Sequence, residues 1–137
     1  MSLTTNLLIT LPGGRRVDVQ VDGHSVHTDQ PASLGGEDSA PSPFQLFLAS
    51  MGACAGVFVQ GFCAKRGIPY EGIRIQQRAE YDAEGTLRGV ELEIQLPADF
   101  PEKYRGAVLK VAEQCSVKKA IQAQPAFRVW ASGGGGA

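Results

Sequence analysis

With 137 residues, the chain is long enough for one domain with a core of its own, and neither disulfide staples nor a structural metal is needed to hold it. Its 13 Lys and Arg against 14 Asp and Glu leave a net charge of -1, which excludes the basic footprint of a nucleic-acid binder. Cysteines number 3, an odd count that argues against a secreted disulfide framework and leaves reactive or packed thiols as the alternatives.

The opening residues Met1–Asn6 lack the charged and apolar regions of a signal peptide, and no apolar run approaches the roughly 18 residues of a membrane span. A cytoplasmic protein without membrane contact is therefore expected. Leu7–Leu11, the turn Pro12-Gly13-Gly14 and Arg15–Val21, with Val17, Val19 and Val21 alternating with polar residues, predict a β-hairpin. Asp22-Gly23 is a second tight turn, and His24–Asp29 a third short strand. The residues from Gln30 to Ser42 hold Pro31, Gly35, Gly36 and Pro41 and read as a loop.

Ser42 followed by Pro43 supplies an N-cap and a proline at the first helical position, so a helix is expected from about Pro43 to Arg66, ended by Gly67 and Pro69. Leu46, Phe47, Met51, Ala53, Cys54, Val57 and Phe58 make it apolar around most of its circumference, which predicts burial on all sides. Gly72–Tyr81 and Leu87–Leu96 alternate and are joined by Asp82-Ala83-Glu84-Gly85 as a second hairpin. A second helix is expected over Lys103–Gln114, a short third one over Ser116–Gln122, and a last strand over Ala126–Trp130. One domain over residues 1–130 and a flexible Gly-rich tail over 131–137 complete an α+β plan.

The thiols carry the chemistry. Cys54 lies among Ala49, Ser50, Gly52, Ala53, Ala55 and Gly56, small residues that let a backbone or a substrate approach closely. Cys63 follows nine residues later, and nine steps of about 100° place the two on opposite faces of one helix, roughly 13 Å apart along it. They cannot bridge within a chain, so Cys115 is the available partner for either, and the small neighbours favour Cys54. Cys63 reads as a packed thiol. His24 and His27 show no metal-ligand spacing to any cysteine and read as ordinary strand residues.

Gly13-Gly14-Arg15, Leu34-Gly35-Gly36, Pro43-x-Gln45-Leu46-Phe47 leading into Gly52-Ala53-Cys54, and Glu113-x-Cys115-x-Val117 resemble, in order and over nearly the whole chain, the OsmC/Ohr family of organic hydroperoxide reductases. The resemblance implies an intertwined homodimer with antiparallel sheets wrapped around two central helices, and a thiol-dependent peroxidase that uses no metal, haem or flavin. It implies Cys54 as the peroxidatic cysteine, Cys115 as the resolving cysteine that closes a Cys54–Cys115 disulfide, and an external dithiol or thioredoxin-like reductant. Arg15 matches the arginine that holds the nucleophile as thiolate; Cys54 lies too deep in its helix for that helix's own dipole to lower a thiol from about 8.5. Arg16 is expected on the other face of the strand.

One departure from the pattern is Phe44, which stands where the family's peroxidases carry a glutamate that pairs with the arginine. Glu37 or Asp38 in the preceding loop is a possible substitute. Phe44, Phe47 and Met51 are the expected lining of an apolar substrate pocket. Two other functions fit the same scaffold: a non-catalytic binding protein for an apolar small molecule, and a thiol redox sensor.

Overall fold

In the computed structural model, which describes residues 4–133, the alternating valines form the middle of an antiparallel meander, β1 (Leu8–Gly13), β2 (Arg16–Val21) and β3 (His24–Thr28), in the order β1-β2-β3. Asp22 and Gly23 take φ of 48° and 78°, the two positive angles that let a two-residue turn follow the twist of its strands. The register runs Val17 opposite Thr28 to Val21 opposite His24.

The helix α1 (Pro43–Lys65) starts where the cap predicts. Ser42 Oγ accepts the Gln45 N–H at 3.2 Å, and Gln45 Oε1 accepts the Ser42 N–H at 2.9 Å, a reciprocal pair that satisfies two donors with no partner inside the helix. Its end is equally local. Ile68 N–H reaches the Cys63 carbonyl and Gly67 N–H the Ala64 carbonyl, with Gly67 at φ 64°, where a side chain would be strained.

Two compact units divide the chain after Ser50, the meander with the first turns of α1 in one and the rest of the chain in the other. In the second unit β4 (Arg74–Tyr81) and β5 (Leu87–Gln95) form an antiparallel hairpin, followed by α2 (Arg105–Ala112) and α3 (Ser116–Gln122). Ala55, Val59, Cys63, Ile68, Phe100, Val108 and Ala112 are its buried core, with Ile75, Leu92, Ile94 and Tyr104 packed against them. The architecture is α+β.

Several expectations need correction. The helix expected from Lys103 opens instead as a 3-10 turn over Glu102–Tyr104 and becomes α only at Arg105, after Pro101. Burial of α1 on all sides does not hold: Met51, Ala55, Val59 and Cys63 are buried at four-residue spacing, one stripe, while Val57 is 65% exposed. The elements packed on the helix in its own unit cover one side of it. α1 also has the length and composition of a helix able to cross a membrane, against the expectation that no apolar run approaches that length. Gln45, Ser50 and Gln60 interrupt the apolar letters without adding charge, and Lys65 is its sole charged residue.

The strand expected over Ala126–Trp130 does not form. Residues 124–133 have no regular structure, and Phe127, Val129 and Trp130 are 87%, 97% and 74% exposed. A strand needs a neighbour for its N–H and C=O groups, and no described strand pairs with this one. The expected flexible tail over 131–137 lies, from residue 134 on, outside the described residues.

Candidate functional site

α2 closes on itself, with the Glu113 N–H to the Lys110 carbonyl and the Gln114 N–H to the Val111 carbonyl, and the chain then turns sharply at Cys115. Cys115 has φ -51° and ψ 119°, outside the helical region, which makes it the N-cap of α3, and its Sγ accepts the Lys118 N–H at 3.3 Å. The same sulfur points at the Met51 carbonyl of α1 at 3.8 Å, so a thiol proton has an acceptor and a lone pair has a donor. Cys115 is 4% exposed.

This turn brings the start of α3 onto Cys54. The Cys54 sulfur accepts the Ser116 N–H at 3.3 Å. The Val117 N–H has the largest effect in lowering the Cys54 thiol below its ordinary range, and the Ser116 backbone, the Cys115 thiol and the Ser116 side chain act in the same direction, while partial burial opposes them. The cause is elementary: a thiolate is an acceptor, and donors aimed at the charged form favour it. Cys54 is half-buried beside the exposed Ala53, so the sulfur is held without being sealed.

The structure thus places Cys54 and Cys115 side by side. Cys63, fully buried on the core stripe, is pushed upward by burial, with the Arg66 charge opposing, and packs in the core. On the sheet side of α1, a Cβ at Gly52 would collide with the Gln77 side-chain oxygen, so the small residue there admits a side chain from β4. The groups that lower the Cys54 thiol all come from residues 115–117. Sequence reasoning missed the amides of Ser116 and Val117; the one signal available was a cysteine standing as the N-cap of a short helix.

The other expected site residues lie on the first unit, except Met51. Arg15 is exposed in the turn between β1 and β2. Phe44 and Phe47 sit on the first turns of α1 with ring centroids 5.4 Å apart and planes tilted by 48°. Met51 is buried, just past the division between the units. Glu37 and Asp38 are exposed, and the Glu37 backbone is engaged by a different carboxylate, Asp29. His27 lies on β3 and pairs with Asp18 at 3.0 Å.

Asp29 was not singled out by its sequence. Only 1% exposed, it accepts four hydrogen bonds, from the N–H groups of Gln30, Glu37 and Ser39 and from the Ser39 hydroxyl, and the hydroxyl with these amides holds it down at about 2. It ties the loop of residues 30–39 into one conformation. Gly36 is obligatory there, since a Cβ would overlap the Gln30 carbonyl.

Comparison with known proteins agrees with this fold. The family described as OsmC-like protein matches residues 36–129. No curated protein was found to match. A crystal structure from Psychrobacter arcticus, described as a candidate osmotic stress induced and detoxification response protein, superposes with a TM-score of 0.75 at 20% identity, covering 88% of this chain and 90% of that one. An organic hydroperoxide resistance protein OsmC from Legionella pneumophila does so with 0.56 at 25% identity over 88% and 90%. The organic hydroperoxide resistance protein OhrB of Bacillus subtilis gives 0.56 at 23% identity over 89% and 93%.

Proposed function

The chain belongs to the OsmC-like protein family, and from that premise we propose that it is a cysteine peroxidase reducing organic hydroperoxides to alcohols. One observation carries the reading: the Cys54 sulfur takes the Ser116 N–H at 3.3 Å, next along the chain from the Cys115 thiol, which acts with that amide to lower the Cys54 thiol. The Cys54 thiolate attacks the outer peroxide oxygen, the O–O bond breaks, the alcohol leaves after taking up a proton, and Cys54 becomes a sulfenic acid. Cys115 then displaces the sulfenic oxygen as water, forming the Cys54–Cys115 disulfide. A dithiol or thioredoxin-like protein restores both thiols.

The Legionella relative, named for organic hydroperoxide resistance, supports this choice of substrate class. In this reading Arg15 supplies a permanent positive charge to the thiolate or the peroxide, and Phe44, Phe47 and Met51 supply apolar surface to the organic group. The protein works in the cytoplasm as a homodimer, which would cover the exposed side of α1; the core stripe of Met51, Ala55, Val59 and Cys63 supports a packed helix over a membrane span.

Thiol counting after addition of cumene hydroperoxide tests the proposal. Cys54→Ser should abolish peroxide-dependent thiol loss, while Cys115→Ser should complete one turnover and then over-oxidise Cys54, seen by intact mass. Undiminished peroxide consumption by Cys54→Ser would remove the assignment. Repeated turnover with a dithiol distinguishes the enzyme from a redox sensor, which reacts once.

A further inference from the structure

The segment that carries Cys115 also carries a concentration of positive charge that the peroxide chemistry does not use. Lys103, Arg105, Lys110, Lys118 and Lys119 stand against Glu102 and Glu113, a surplus of three positive charges in a chain whose net charge is -1. Arg105 is partly neutralised by Glu102 at 3.8 Å. Lys119 Nζ donates to the Gln114 side-chain oxygen at 3.0 Å, a neutral partner, and neither Lys110 nor Lys118 forms an ion pair among the described residues. All these lysines are exposed. The backbone of the same segment reaches the thiols: the Lys118 amide bonds the Cys115 sulfur, and the Ser116 amide, two residues earlier, bonds Cys54.

We propose that the α2–α3 lysines are the docking surface for the reductant, and that this reductant is a dithiol carried on an acidic protein or peptide. The inference rests on the thiol-peroxidase reading and names the partner of its second half-reaction. Exposed charges with no ion-pair partner leave their field free to act on an incoming molecule; a complementary negative surface is steered to the site and held in register. Exposure decides the sulfur attacked. Cys54 is half-buried and Cys115 nearly sealed, so one thiolate of the reductant attacks the Cys54 sulfur of the disulfide and the Cys115 thiolate leaves, accepted by the Lys118 N–H. The second thiol of the reductant then attacks its own sulfur in the mixed disulfide, and Cys54 leaves. Two electrons pass from the dithiol to the protein, the two protons follow them, and the reductant departs as a disulfide.

The experiment forms the Cys54–Cys115 disulfide with diamide, so that peroxide reactivity is not needed, and follows its reduction by two Cys-x-x-Cys peptides, one flanked by glutamates and one by lysines. At low salt the glutamate-flanked peptide should reduce the protein about tenfold faster than the lysine-flanked one, and the ratio should shrink toward one at high salt as charges are screened. In Lys110→Glu/Lys119→Glu the same ratio at low salt should fall to one or below, which controls for differences in the intrinsic reactivity of the two peptides. A ratio that ignores salt, or that survives the substitutions, overturns the proposal. If the disulfide forms with diamide but not with hydroperoxide, the peroxidase reading has failed while the docking test still runs. A chain that forms no such disulfide under either oxidant ends both.

Discussion

The Cys54 sulfur accepts the amide hydrogen of Ser116 at 3.3 Å, across 62 residues of sequence. With the Val117 amide, whose effect is larger, that contact lowers the thiol of a cysteine deep inside its own helix: the donors come from the start of a different helix. The Val117 and Ser116 amides do not titrate, so the effect persists wherever α3 is formed.

Cys54 should therefore titrate below an ordinary thiol. Because the folded state favours the thiolate, alkylation of the native protein by iodoacetamide should become fast at a pH below the usual thiol range of about 8.5 and slow as pH falls through the lowered value. Cys63 moves the other way and should react only on unfolding. In Cys54→Ser the fast phase should vanish; a fast phase that persists identifies another thiol as the activated one.

In the proposed function, Phe44, Phe47 and Met51 set the substrate preference. Each buried methylene of a substrate contributes about 0.8 kcal/mol, so three or four of them favour binding by roughly tens- to a hundredfold. Cumene or fatty-acid hydroperoxides should accordingly show a higher kcat/KM than hydrogen peroxide. Arg15→Ala should lose most activity toward both classes if its charge serves the thiolate. Equal efficiencies would remove the apolar pocket, and a fully active Arg15→Ala would leave activation to the α3 amides.

A homodimer is expected at micromolar concentration by light scattering. Val57 and Val108 separate folding from association, since one is 65% exposed and the other fully buried. Val108→Ala should destabilise the fold by about 2 kcal/mol through lost burial and a residual cavity. Val57→Asp should weaken the dimer while leaving circular dichroism unchanged. A monomeric parent protein would refute the dimer outright.

Asp29→Asn tests the loop clamp. The carboxylate is held at about 2, below its ordinary value, so its stabilising contribution is complete above the unfolded carboxylate range and is lost as pH falls toward 2. The substitution should lower the Tm at neutral pH by on the order of 5 °C. It should also flatten the fall in Tm between pH 4 and pH 2. An unchanged acid limb would mean that another carboxylate governs it.

What the sequence determined by itself is what neighbours along the chain decide. Ser42, Pro43 and Gln45 set the start of α1 and Gly67 its end, because a cap is an exchange of hydrogen bonds over three or four residues. Asp22-Gly23 and the alternating valines define the meander for the same reason, and the order of the cysteine and glycine motifs was enough to indicate the family. Tertiary structure decided the rest. Whether Ala126–Trp130 pairs depends on a free edge elsewhere, whether α1 is buried depends on how many elements reach it, and Asp29 is singled out by the amides that fold back onto it. The thiol site belongs to this second class: Cys54, Cys115 and the amides of Ser116 and Val117 meet through contacts some 60 residues apart, and no local propensity encodes the direction in which a distant N–H will point.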